Sequence, residues 1–137
     1  MKRPGFVAIC ALTSGAIALP AAACPTPEQG FRRLTSGDAE VAYRWEPAEP
    51  KVGQFFTAEV VACGAAQTHA AHEIKIDATM SAHGHGMNYR PSATVAAPGH
   101  YRFTGLMLHM PGTWRITIDV LQGGKRSRLV QEVNLRP

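Results

Sequence analysis

The segment MSAHGHGMNYRP, Met80 to Pro91, gathers two imidazoles and two thioethers around two glycines. Thioether sulfur is a soft ligand and imidazole a borderline one, a pairing that suits Cu(I), and through the histidines Cu(II). Zinc sites rarely use methionine, and calcium or magnesium want carboxylates, which are missing from residues 80 to 112. In an extended segment His83, His85 and Met87 fall on one side because side chains alternate, and Gly84 and Gly86 let the chain fold closely round a small ion. A second cluster, His109 with Met110, closes the apolar run GLMLHMPG. The expected metal ligands are therefore His83, His85, Met87 and His109, with Met80 and Met110 as additional sulfurs. The expected ion is copper, Cu(I) ahead of Cu(II).

Each of these residues also has a plainer use. Met80 is in phase with Ile74, Ile76 and Ala78, which makes it a core side chain first. Met107 and Met110 lie in an apolar run, where methionine fills space. His69 and His72 sit in a loop and read as solvated, with a secondary metal role as the alternative, and His100 reads as a surface residue at a strand start. Catalysis has no foothold: there is no G-x-S-x-G, no P-loop, no dinucleotide-binding glycine fingerprint and no H-E-x-x-H, and HAAHEI has the wrong order for a zincin. The expectation is a binding protein, not an enzyme.

The compartment comes from the N-terminus. Lys2 and Arg3 precede a short apolar stretch ending in Ala21, Ala22 and Ala23, the pattern of a secretory signal peptide over residues 1–23. The stretch is interrupted by Pro20 and falls short of the about 20 apolar residues a membrane helix needs, and no second such run follows. Residues 24–137 are then the exported domain, expected in the periplasm with no membrane span. Its Cys24 and Cys63 most simply form a disulfide in an oxidising compartment; lipid attachment at Cys24 and thiolate metal ligation are the rival readings. The formal charge of +4 falls by two when Lys2 and Arg3 leave, and the remaining basic residues are scattered, so nucleic acid is not an expected partner.

The scaffold reads as strands. AEVAYRWEP alternates Val41, Tyr43 and Trp45 against Glu40, Arg44 and Glu46, EIKIDATM is a strand of the same period, and WRITIDV sets Trp114, Ile116, Ile118 and Val120 inward. FFTAEVVAC, HYRFTGLMLHM with a bulge or face switch at Gly105, and RLVQEVNLR complete the set. Residues 25–37 read as an extended lead-in with at most a short edge strand, and residues 81–99 as a long loop with a weak strand at SATVA. About seven short strands with regular turns predict an all-β, immunoglobulin-like antiparallel sandwich whose core holds Val41, Tyr43, Ile74, Ile76, Trp114, Ile116 and Ile118. Loops collect at the two ends of a sandwich, so the segment after the third strand and the turn before Trp114 can lie side by side.

With MSAHGHGMNYRP followed by GHYRFTGLMLHMPGTWRITIDV, the chain resembles the small exported YtkA-like domains, related to the periplasmic domain of FixH. Those domains show a Met-Pro-x-His-x-His segment and then a Gly-x-Tyr, apolar strand, Pro-Gly-x-Trp block; here Ser81 stands in place of the proline, and the membrane helix of FixH is missing. The resemblance implies an immunoglobulin-like sandwich and a place in copper handling or cytochrome oxidase maturation. The partners it implies are a metal ion and a membrane oxidase or another copper-handling protein. A metal-free interaction or assembly module of FixH type for a membrane oxidase is the alternative. A looser likeness is to periplasmic copper chaperones that bind Cu(I) through two His and two Met, whose pattern ends in His-x-Met where this chain has adjacent His109 and Met110. In a strand those two would face opposite ways, leaving only one for a shared ion.

Overall fold

The computed structural model describes residues 24–64 and 73–137. The signal-peptide reading of residues 1–23, His69 and His72 lie outside the described residues. The strands are β1 (Arg32–Ser36), β2 (Ala39–Glu46), β3 (Phe55–Ala62), β4 (Glu73–Met80), β5 (His85–Gly86), β6 (Ser92–Ala97), β7 (His100–Met107), β8 (Gly112–Gln122) and β9 (Lys125–Leu135), with one 3-10 turn at Pro27–Gln29. They form two antiparallel sheets, β1-β2-β3-β7-β6 and β5-β4-β8-β9.

With β2, β3, β7 and β6 taken as A, B, E and D, and β4, β8 and β9 as C, F and G, the two sheets have the strand order of a constant-type immunoglobulin sandwich. The additions are β1 beside β2 and the two-residue β5 beside β4. The sandwich is as the alternation predicts, but nine strands among the described residues replace about seven. The lead-in carries β1 because Leu34 packs on the core while Arg32 and Arg33 face water, and the expected loop after Met80 carries both β5 and β6.

Periodicity explains the layers. On β4 the residues alternate exposed and buried throughout, with Ile74, Ile76, Ala78 and Met80 inside. Their partners on β8 are Val120, Ile118 and Ile116, all buried. The seven core residues predicted from sequence are all buried, and burial of each large one stabilises the fold by about 1.5 to 3 kcal/mol. Tyr43 on β2 and Gln131 on β9 join the two sheets through a side-chain hydrogen bond of 3.0 Å.

Gly105 is the face switch expected of it. Its φ of +82° accompanies a register shift against β3, where Phe56 pairs with Leu106 but Ala58 with Phe103. Burial then changes phase from Tyr101 and Phe103 to Leu106 and Leu108, which keeps the end of β7 packed inward up to the turn that bears His109.

On the outer face of the five-stranded sheet Phe31, Ala42, Val61 and Cys63 form a second small core. Cys24 is bonded to Cys63, with Cα atoms 5.4 Å apart, so the lead-in segment is tied across this face. Arg44 lies over the Phe31 ring at 4.8 Å and pairs with Glu59. His100, expected at the surface, is half-buried, with Nε2 enclosed 3.9 Å from Glu59, because the bulged β6–β7 turn folds it back onto β3.

Candidate metal centre

Three chain segments meet at one end of the sandwich: the turn after β2, residues 81–91, and the turn at residues 108–111. Gly53 N–H donates to Leu108 C=O at 2.9 Å, which ties the first of these to the third.

β4 ends at Met80, whose carbonyl accepts from the N–H groups of both His83 (3.1 Å) and Gly84 (3.0 Å). Gly84 takes φ +66°, a left-handed conformation that costs glycine nothing, and the chain reverses. His85 then pairs with Met80 and Gly86 with Thr79, and Met87 N–H continues the ladder to Ala78 C=O at 3.2 Å. HGHGM is therefore a tight hairpin folded onto β4. At Gly86 a β-carbon would sit 3.3 Å from Ala78 O, so a side chain there would require the hairpin and the strand to part by a few tenths of an ångström.

The hairpin sets His83 in the turn, exposed, and His85 in β5, half-buried, with ring centroids 5.9 Å apart. From the neighbouring turn His109 stacks on His85 at 5.1 Å with 28° between the planes. Both rings meet the Trp114 indole edge to face, His85 at 6.0 Å and His109 at 5.3 Å. Trp114 is fully buried, and its Nε1–H donates to Met110 C=O at 3.0 Å, fixing the turn that carries His109. His109 Nδ1 is buried without a hydrogen-bond partner. A buried polar atom left unmatched costs about 1 to 3 kcal/mol.

Met87 and Met110 are half-buried against the main core. Met80 is 1% exposed and is a core residue lying under Gly112. Because residues 108–111 form a turn, the strand alternation that set His109 against Met110 does not apply; His109 faces the imidazole cluster and Met110 packs on the core. The fold thus brings together the rings of His83, His85 and His109, while the side chains of Met87, Met110 and Met80 pack on the main core. Sequence reasoning put Trp114 only in the core, although its place four residues after Met110 in PGTW was the available signal for its second role.

The imidazole nitrogens are not yet closed on one point. Among the described residues, the His, Cys, Asp and Glu group with all ligand atoms within 4.8 Å of one another is Cys24, Glu40 and Cys63. There both sulfurs are committed to the disulfide, so this group is a tether. Residues 80–118 contain no Asp or Glu, so an ion there would meet only nitrogen, sulfur and backbone oxygen.

Fold and cluster together define a small immunoglobulin-like β-sandwich with a His and Met cluster at one end. The YtkA-like family model matches residues 34–119, most of the chain and all of the cluster, and the chain belongs to this family. A crystal structure of a DUF4426 family protein from Pseudomonas aeruginosa PAO1 is similar at 15% identity and a TM-score of 0.49, over 80% of this chain and 98% of that one. No curated protein matches the sequence.

Proposed function

We propose that this protein is a periplasmic copper-binding module that carries or buffers the ion, with Cu(I) as its preferred cargo, and not an enzyme. The observation that supports this most is the meeting of His85 and His109 over Trp114, with His109 Nδ1 buried and unmatched in the same cluster. A coordinated ion would satisfy that nitrogen. His83, His85 and His109 are the nitrogen donors and Met87 the first sulfur; Met110 and the buried Met80 are additional sulfurs that small shifts of the turn would expose. Nitrogen and thioether donors without carboxylate favour a soft ion over zinc, calcium or magnesium.

X-ray absorption of the protein loaded with Cu(I) tests this set. Nitrogen and sulfur scatterers together are expected, and a shell of nitrogen and oxygen alone would remove the methionines. Signal-peptide cleavage before Cys24, and hence the compartment, is checked by the mass of the secreted protein.

The second reading is a metal-free interaction module serving a membrane oxidase, with HGHGMNYRP as its contact surface. It is supported by Tyr89, which is 49% exposed and meets the exposed Phe55 edge to face. It predicts partner capture that chelators leave unchanged.

A further inference from the structure

Three large hydrophobic side chains are exposed among the described residues: Phe55, Tyr89 and Val95. Val95 and Tyr89 belong to one margin of the five-stranded sheet, and Phe55, at the start of the central strand β3, reaches Tyr89 at the end of the sheet. Val95 is in β6, the outermost strand; Tyr89 stands three residues ahead of that strand; and Phe55 packs on Tyr89 at 5.2 Å. Every residue of β6 is exposed, yet Ala93 and Val95 pair with the buried Phe103 and Tyr101 and so face the interior side. The cause is an overhang. β1 and β9 are in contact at one side of the sandwich, and at the other side the facing sheet ends in β5, only two residues long, which does not cover β6.

Sheet edges are normally protected by charge, brevity or irregularity. β1 carries Arg32 and Arg33, β9 carries Lys125, Arg126, Arg128 and Glu132, and β5 is short. β6 reads SATVAA, without a charge, and its one irregularity is a register shift at Ala96 that leaves Ser92–Val95 regular.

We infer that β6 is a self-association edge, pairing antiparallel with β6 of a second copy about a two-fold axis through Thr94. That register sets Ala93 of each copy opposite Val95 of the other, on the same face, so four apolar side chains close the uncovered margin. Tyr89, three residues ahead of each strand, then lies toward the end of the other. Charge selects this edge for a second copy: the chain is net positive, so two copies repel wherever their basic edges meet, and β6 places no charge against its own image. One short strand pair with two aromatic flanks lies at the low end of interface sizes, below about 1,200 Å², so the dimer is weak.

Sedimentation equilibrium of the metal-free protein tests this from about 10 μM to about 1 mM, a range that spans a weak association. A reversible monomer–dimer equilibrium is expected. Val95→Lys and Thr94→Lys, both at exposed positions, should each weaken it about tenfold or more by setting like charges close across the axis. Ser127→Lys on the β9 edge should leave it unchanged, and circular dichroism verifies that each variant is folded. A monomer throughout the range, or a dimer indifferent to both β6 substitutions, would overturn the inference.

Discussion

The terminal methyl of Met80 occupies the space beside Gly112 so closely that a β-carbon at residue 112 would fall 2.7 Å from it. Gly112 also holds φ +121°, a conformation side chains rarely adopt. Residue 112 opens β8 immediately after the turn of His109, so the contact lies where that turn meets the end of β4.

Gly112→Ala should therefore destabilise the protein by about 1 to 3 kcal/mol, chiefly through backbone strain, because the Met80 methyl is the free end of a flexible side chain and can turn aside. The steric share belongs to Met80. In the double variant Gly112→Ala with Met80→Ala, the combined loss in urea unfolding should be smaller than the sum of the single losses, whereas strict additivity would mean that the two residues do not press on each other.

Trp114 has two roles that two substitutions separate. Trp114→Ala should cost about 3 to 5 kcal/mol, as truncation of a fully buried indole does. Trp114→Phe keeps most of the packing but removes the hydrogen bond to Met110 C=O, and should cost less in stability while freeing the turn of His109. The expected signature is a change in the His109 ring resonances by NMR out of proportion to the change in unfolding midpoint.

Arg128 donates two hydrogen bonds of 2.7 Å to Asp119, whose side chain is 12% exposed, and this pairing holds the carboxyl below its ordinary value of 3.8 despite partial burial. A carboxyl whose value is depressed by folding contributes stability that is complete above its unfolded value. That contribution is lost as pH falls below about 3.8 through the lower folded value. The stability advantage of the protein over Asp119→Asn should accordingly be constant between pH 5 and pH 7, by urea midpoints, and shrink below pH 4.

Reduction of the Cys24–Cys63 bond, which spans 39 residues, should cost about 4 kcal/mol in the chain-entropy account. Thiol alkylation without reductant should label neither cysteine. The loss should show as a lower urea midpoint after reduction, with the sandwich itself retained, because the main core does not include either sulfur.

Much of the sandwich was legible because β2, β4 and β8 bury one face in alternation, strict in β4 and broken by the buried Ala42 and Asp119 in the other two, which period-two patterning exposes directly. β6 was hard to read for the opposite reason: exposed on both faces, it presents no contrast between sides. Within the cluster, residue types identified His83, His85 and His109, but their approach depends on two turns from distant segments. Gly84 and Gly112 hide that geometry in positive φ values that no spacing rule reports. For the adjacent His109 and Met110 strand reasoning gave the right outcome, one facing the cluster and the other the core, although β7 stops at Met107, two residues before His109.

The most direct test of the copper account is an anaerobic competition titration of residues 24–137 with Cu(I) against a calibrated chelator, in parallel with His83→Ala/His85→Ala, His109→Ala and Met87→Leu. The account predicts one ion bound much more tightly than micromolar, at least tenfold weaker in each histidine variant, and weaker for Cu(I) more than for Cu(II) in Met87→Leu. Affinity should also fall in acid, since protonated imidazole cannot coordinate. Micromolar or weaker binding, unchanged by these substitutions, would contradict it.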